Sequence, residues 1–240
     1  MAGSPELTDV SAALLRPDRP VNAFEDTVER LLQTIRLGVL APGESLPPER
    51  ELAASLGVSR DTVREAIKSL SEAGYLVSRR GRYGGTFLSE ELPAARGGDV
   101  RLGAAEIDDI VRLREILEVG AARMAAKRRL GTDERRALRA RLADVRDAPP
   151  EDYRRLDSRL HLAVAEAAGV PSLVPLVAQN RMRLNQLLDA IPLLRRNIVH
   201  SDEQHDAIVT AILAGDADTA AQTMTAHLRG TSALLHGFLD

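Results

Sequence analysis

The stretch from Leu46 to Leu88 constrains the fold most, because two helical patterns, a three-residue break and a hairpin pattern follow one another without a gap. Pro47 and Pro48 open the first pattern, Glu49 and Glu51 place acids in its first turn, and Leu52, Ala53 and Leu56 recur at helical spacing. Gly57-Val58-Ser59 interrupts it: Gly57 is free to take positive φ as a C-terminal cap, and the Ser59 hydroxyl can cap the next helix. The second helix, Arg60 to Ala73, buries Val63, Ile67 and Leu70 and leaves Arg60, Thr62, Arg64 and Lys68 on its other faces. Gly74 ends it. Tyr75 to Arg79 and Gly85 to Leu88 then read as strands around the basic, glycine-rich tip Arg80-Gly81-Arg82-Tyr83-Gly84. Helix, tight turn, helix and basic hairpin in this order predict a winged helix-turn-helix.

Such a unit offers the N-terminal end of its second helix to the major groove. Arginines there form paired hydrogen bonds to guanine O6 and N7, while hydroxyls reach phosphate or base edges. Any single arginine of this set is more often a solvated charge than a base reader; the constellation, not the residue, carries the reading. Lys68 alone reads as solvent-facing.

The segment LAPGESLPPERELAASLGVSRDTVREAIKSLSEAGYLVSRRGRYGGTFL resembles the GntR family of bacterial transcription regulators, specifically its FadR-like (FCD) subfamily. In that family the DNA contacts come from the first helix's Arg, the start of the recognition helix and the wing tip. By resemblance those roles fall on Arg50, Ser59, Arg60, Thr62, Arg64, Arg80 and Gly81. Asp61 stands where a neutral residue often sits, and Tyr83 interrupts a wing that is often glycine there.

Length and composition fit a regulator of two domains. At 240 residues the chain has room for one or two domains, each with its own core. Aromatics are only 2%, so the core must be Leu, Ala, Val and Ile, which suits close-packed helices. With no cysteine there is neither a disulfide framework nor a thiolate metal site. No apolar run approaches 18 residues and no basic-then-apolar leader opens the chain, so no membrane span is expected and the expected location is cytoplasmic. The net charge of −3 is unusual for a nucleic-acid binder, but Arg60, Arg64, Lys68, Arg79, Arg80 and Arg82 cluster locally while acids prevail elsewhere. Two heads acting together on a palindromic operator, and hence a homodimer, are expected.

Residues 1–21 carry little periodicity and read as a loose N-terminal arm; 22–90 form the winged domain, whose first helix runs from Phe24 to Leu37. Residues 91–103 read as a linker with the boundary near residue 96, and 104–240 as an all-helical bundle of six or seven helices, which the resemblance implies is the effector-binding and dimerisation domain. Its first helix, to about Arg129, is read with Ile107, Ile110, Val111, Leu113, Leu117 and Ala121 on one stripe. Further helices follow over Asp133–Arg146, Glu151–Ala168 and Leu173–Leu188. After Pro192 a separate region around Leu194–His200 precedes helices Ser201–Ala214 and Asp216–Leu239. The fold class is therefore mainly α.

Asp157 and His161 are four residues apart, which puts a carboxylate and an imidazole on one helix face, and His205 and His227 lie on later helices. One Asp and three His are ligands suited to a divalent Zn, Ni, Mn or Fe ion. From spacing alone an ordinary helix pair and satisfied histidines explain these residues equally well. The resemblance adds that FCD effector domains hold a divalent metal through DxxxH and two later histidines, which DSRLH, HDAI and AHL match in order. His200 and His236 fall outside the motif and read as surface or packing residues. Arg114, in LREILE, stands where the family's Arg faces the cavity and binds a ligand carboxylate; pairing with Glu118 or Glu115 on the helix surface is the alternative. Arg181 and Arg183 are weaker candidates.

The resemblance thus implies a repressor-type regulator, not an enzyme. As a dimer it binds operator DNA and is released by a small organic acid at the metal held by Asp157, His161, His205 and His227. The competing reading is a metal-dependent hydrolase using the same Asp/His set.

Overall fold

The computed structural model describes residues 23–79, 81, 84–93 and 104–239; the expected arm, most of the expected linker, Arg80, Arg82 and Tyr83 lie outside the described residues. By packing, the chain divides into two units. One holds the described residues up to Leu31 and from Pro42 to Leu92, the other Leu32–Ala41 and the described residues from Pro93 onward.

The first unit takes α1 (Ala23–Arg36) as far as Leu31, then α2 (Glu49–Leu56) and α3 (Arg60–Glu72), β1 (Leu76–Arg79) and β2 (Gly85–Leu88). The turn between α2 and α3 forms as its residues dictate. Gly57 adopts φ +70° and donates its N–H to Ala53 O, and Ser59 Oγ accepts the Thr62 N–H at 3.0 Å. Val63, Ala66, Ile67 and Leu70 on α3 are buried along with Ala53, Leu76 and Leu88. Gly74, at φ +83°, turns the chain into an antiparallel hairpin that pairs Leu76 with Leu88 and Arg79 with Gly85. Arg79 lies over the Phe87 ring at 4.7 Å, a cation–π contact that stiffens the base of the wing.

The second unit contains six helices among the described residues: α4 (Ala104–Lys127), α5 (Thr132–Arg146), α6 (Tyr153–Ala167), α7 (Leu173–Asp189), α8 (Arg195–Ala214) and α9 (Ala217–Leu239). Helix α4 packs against α6, α7, α8 and α9, so it is the axis of the bundle. Alanines on four helices (Ala121, Ala125, Ala165, Ala211 and Ala220 among them) let the backbones close on a core of Leu138, Leu160, Val177, Ile208, Ile212 and Met224.

Two sequence expectations need correcting. Leu194 to Ala214 is not a short region followed by a helix: after Leu194 one helix runs unbroken from Arg195, because nothing at His200-Ser201 breaks it. The stripe of α4 is also displaced. Leu113 is 39% exposed and Ile116 72%, whereas Arg114 and Glu118 are buried at 3% and 2%. The buried positions 107, 110, 114, 118, 121, 122 and 125 follow helical spacing, with charged residues at two of them. Among the described residues no helix is long and apolar enough to cross a membrane.

Candidate functional site

Two sites are built, one in each unit. In the first, α3 presents Ser59, Arg60 and Arg64 as exposed side chains at its N-terminal end, with Arg50 exposed on α2 and Gly81 exposed in the wing. Thr62 is half-buried and its hydroxyl is 2.8 Å from Ser59 Oγ, so it steadies the helix start as well as facing outward. Arg64 is held between two acids, its Nη2 donating to Glu49 Oε2 and its Nη1 to Asp61 Oδ1, both at 3.1 Å. The ion pair fixes where this guanidinium sits on the outer face. Lys68 lies on the surface 3.8 Å from Glu72. Arg80 is outside the described residues.

The second site lies inside the helical unit. Asp157 and His161 project from α6, His205 from α8 and His227 from α9, and one ligand atom from each lies within 4.8 Å of the others. The three imidazole centroids are 4.5 to 5.5 Å apart. His205 Nε2 lies 3.2 Å and His161 Nε2 3.7 Å from Asp157 Oδ1, so these nitrogens converge on the carboxylate. The outward nitrogens face oxygens: His161 Nδ1 is 2.6 Å from Glu118 Oε2, and His227 Nδ1 is 3.1 Å from Gln204 Oε1. That is the arrangement in which a metal-binding imidazole is oriented through its second nitrogen.

The chemistry of the donors and their burial fit a divalent ion. Both ring nitrogens of His161 and of His205 are buried without a hydrogen bond of good geometry, an arrangement that costs free energy unless an ion satisfies the inward pair. Burial pushes the His205 imidazole below the ordinary histidine range, against the hydrogen bond and charge of Asp157. His227 is pushed well below that range by burial, then by His205, His161 and Arg114. Both are therefore neutral at pH 7 with lone pairs available to a cation. Burial favours protonation of the Asp157 carboxyl, but Arg181 and then His161 overcome it and hold the group well below the usual carboxylate range.

A buried charge network surrounds this cluster. Arg114 Nε donates to Glu118 Oε1 at 3.1 Å, and Arg181 Nη1 lies 3.8 Å from the same oxygen. Arg181 also donates to Asp157 Oδ2 and, at 3.1 Å, to Ser158 Oγ. Burial works against ionised Glu118, but Arg114, His161 and Arg181 together hold its carboxyl far below the usual range. The Arg114–Glu118 pair foreseen as a surface alternative is thus present, but in the interior. Arg181, ranked below Arg114 in sequence, is fully buried against the Asp157 carboxylate, while Arg183 stays outside with Glu106 and Asp109.

Arg114, Asp157 and His227 line one end of a cavity with about 580 Å³ of empty space including its mouth, walled further out by Ile191, Leu194, Ile198 and Leu234. His200 is exposed at 67% and His236 lies 3.4 Å from Asp108; neither is in the cluster. Glu118 and Gln204 are the members that sequence reasoning did not select. Glu118 entered the sequence reading only as a possible surface partner of Arg114.

Comparison with known proteins covers both units. The profile described as "Bacterial regulatory proteins, gntR family" matches residues 24–88, and the FCD domain profile matches residues 109–230. The chain is 31% identical over 238 residues to the HTH-type transcriptional repressor NanR of Salmonella arizonae, covering 93% of this chain and 88% of that protein. It is 27% identical over 217 residues to the HTH-type transcriptional regulator LutR of Bacillus subtilis, covering 86% and 98% respectively. Among solved structures, Escherichia coli McbR/YncC shares the fold, with a TM-score of 0.57 at 21% identity over 92% of this chain and 100% of that one.

Proposed function

The chain belongs to the GntR family of bacterial regulatory proteins and carries an FCD domain after its helix-turn-helix, and on that premise we propose that it is a metal-dependent, acid-responsive repressor. That it is a transcription regulator of this type follows from the family. The proposal is what it senses and how.

In this reading a homodimer sets two α3 helices on a palindromic operator. Arg60 and Arg64 read base edges, Arg50, Ser59 and Thr62 hold the backbone, and Arg80 and Gly81 engage it from the wing. Asp157, His161, His205 and His227 hold a divalent ion, which when bound supplies a Lewis-acidic position for a small carboxylate. Arg114 faces the same cavity and adds positive charge there, with Glu118 fixing its guanidinium. The acid favours the arrangement of heads that fits the operator less well, and repression is relieved by that difference in affinity. The similarity to a protein named a repressor supports the sign of the effect.

One observation carries the reading: four ligand atoms within 4.8 Å of one another, on three buried histidines and a half-buried aspartate, two of which, Asp157 and His227, line a cavity together with Arg114. The test is a gel-shift titration on the DNA upstream of the protein's own coding sequence. It is repeated with chelator and with a panel of small carboxylic acids plus divalent metal. A specific shift relieved by an acid only with metal present supports the proposal; relief that is indifferent to metal overturns the assigned site.

A further inference from the structure

Asp61 puts a negative charge on the face of α3 that carries the arginines, where binding to a polyanion is worst served by one. It is the second residue of the helix, and its side chain is 88% exposed. At 100° per residue, Arg60, Arg64 and Asp61 fall within an arc of about 100°. A carboxylate there is repelled by every phosphate that the arginines attract. Capping does not call for it, since Ser59 Oγ already accepts the Thr62 N–H. Among the described residues Arg64 is the only side chain that donates to it, through Nη1 to Oδ1 at 3.1 Å, while Glu49 on α2 takes Nη2 at the same distance. The guanidinium is thus tethered to acids on two helices. Each terminal nitrogen carries two N–H groups, so donors remain for a base, and the carboxylate of Asp61 keeps a second oxygen for another donor.

The four bases answer a carboxylate in the major groove differently. Guanine shows O6 and N7, both acceptors, and thymine shows the acceptor O4 beside its methyl group, so neither bonds it. Adenine offers its N6 amino group next to the acceptor N7. Cytosine alone offers an amino donor, N4, with no acceptor of its own beside it. An Asp placed next to a guanine-reading Arg therefore discriminates mainly through what it rejects. It lowers affinity for every sequence through the phosphates, and lowers it least where cytosine N4 donates to it.

We infer that Asp61 is a specificity-determining residue of the reading head: it accepts the N4–H of a cytosine at the base pair next to the guanine taken by Arg64, and excludes the other three bases there. This rests on the reading given above, in which α3 enters the major groove with Arg64 on base edges, and adds the base that its acid selects. Removing the carboxylate then has two effects of opposite value, a gain in affinity for DNA at large and a loss of discrimination at one position.

The test is selection by the full chain from duplexes with a randomised window about two helical turns long, followed by fluorescence anisotropy on single-position variants of the selected site. Wild type is expected to select a half-site with guanine and cytosine at neighbouring pairs, and to prefer that cytosine by at least about fivefold, the low end for one mismatched base pair. In Asp61→Ala all four bases at that pair should bind within about twofold of one another, with the guanine kept and affinity for random duplex at low salt raised. Asp61→Asn should move the position toward adenine, whose N6 and N7 an amide engages together. Arg64→Ala should instead remove the guanine. A cytosine preference that survives Asp61→Ala undiminished overturns the inference while leaving α3 as the reader. Loss of the guanine rather than the cytosine in Asp61→Ala limits the acid to holding Arg64, and also overturns it. No motif from wild type, or one that Arg64→Ala leaves unchanged, overturns both the inference and the reading beneath it.

Discussion

Replacing Glu118 by Gln tests whether the charges behind the histidine cluster act as one unit. The carboxylate lies 3.1 Å from Arg114 Nε, 3.8 Å from Arg181 Nη1 and 2.6 Å from His161 Nδ1, with Glu118 and all three partners at most 3% exposed. Without its charge, Arg114 and Arg181 share Asp157 as the remaining carboxylate of the network, and Arg114 Nε is left with a neutral amide acceptor in place of its ion-pair partner. Breaking a buried ion pair by removing one member costs about 3–5 kcal/mol, because the other charge stays desolvated. For a chain of this size that is a fall of about 6–20 °C in melting temperature. The assay is thermal and urea unfolding of metal-free protein followed by circular dichroism at 222 nm. Removing both members at once, Arg114→Met with Glu118→Leu, relieves the uncompensated charge and should return stability to within about 2 kcal/mol of wild type. The reasoning is refuted if Glu118→Gln costs less than about 1 kcal/mol, or if the double variant is as unstable as the sum of the two singles.

Four further outcomes are expected. Arg64→Ala should weaken operator binding by about 5–150-fold, the range for loss of one bidentate base contact. Asp61→Asn, which removes an exposed acid bonded to Arg64, should strengthen binding at low salt; fluorescence anisotropy across a salt series checks both. Gly57→Ala forces a Cβ onto a residue at φ +70° with nothing crowding it, so the cost is backbone strain alone, about 1–2 kcal/mol; a loss above about 3 kcal/mol in chemical denaturation contradicts that reading. Metal-free protein should lose stability on acidification. His205 and His227 titrate below the ordinary value of 6.5 when folded, so the unfolded chain binds protons first as pH falls through about 6.5. Asp157 and Glu118 are also depressed and add a second loss below pH about 4.5. A melting temperature that rises between pH 7 and pH 5 contradicts the assigned directions.

The reading head was legible in sequence because each of its signals is local. Gly57, Ser59 and Gly74 state the turn and the caps within a few residues of where they act, and two short strand-forming runs flank a basic, glycine-rich tip. The ligand cluster was legible as a set, since Asp157 and His161 share a face by helical spacing, but its closure depends on α8 and α9 arriving from some 45 and 65 residues away. The interior of α4 was not legible. An apolar stripe through Leu113 and Leu117 and a mixed stripe through Arg114 and Glu118 both satisfy helical spacing, and hydrophobicity chose the wrong one. A buried Arg–Glu pair is stabilised by partners on other helices, here Arg181 and His161, which one helix's pattern does not contain. Helix α8 hid its continuity for a related reason: Pro192 marks a break, but the restart at Arg195 has neither a polar side-chain cap nor an acidic first turn to announce it.

The most direct test of the central claim is operator affinity measured by fluorescence anisotropy in four states: metal-stripped and metal-loaded protein, each with and without the acid identified by gel shift. The account predicts at least a tenfold loss of affinity only when metal and acid are both present, and no such loss in Asp157→Ala. Equal loss with and without metal, or a loss that survives Asp157→Ala, contradicts it.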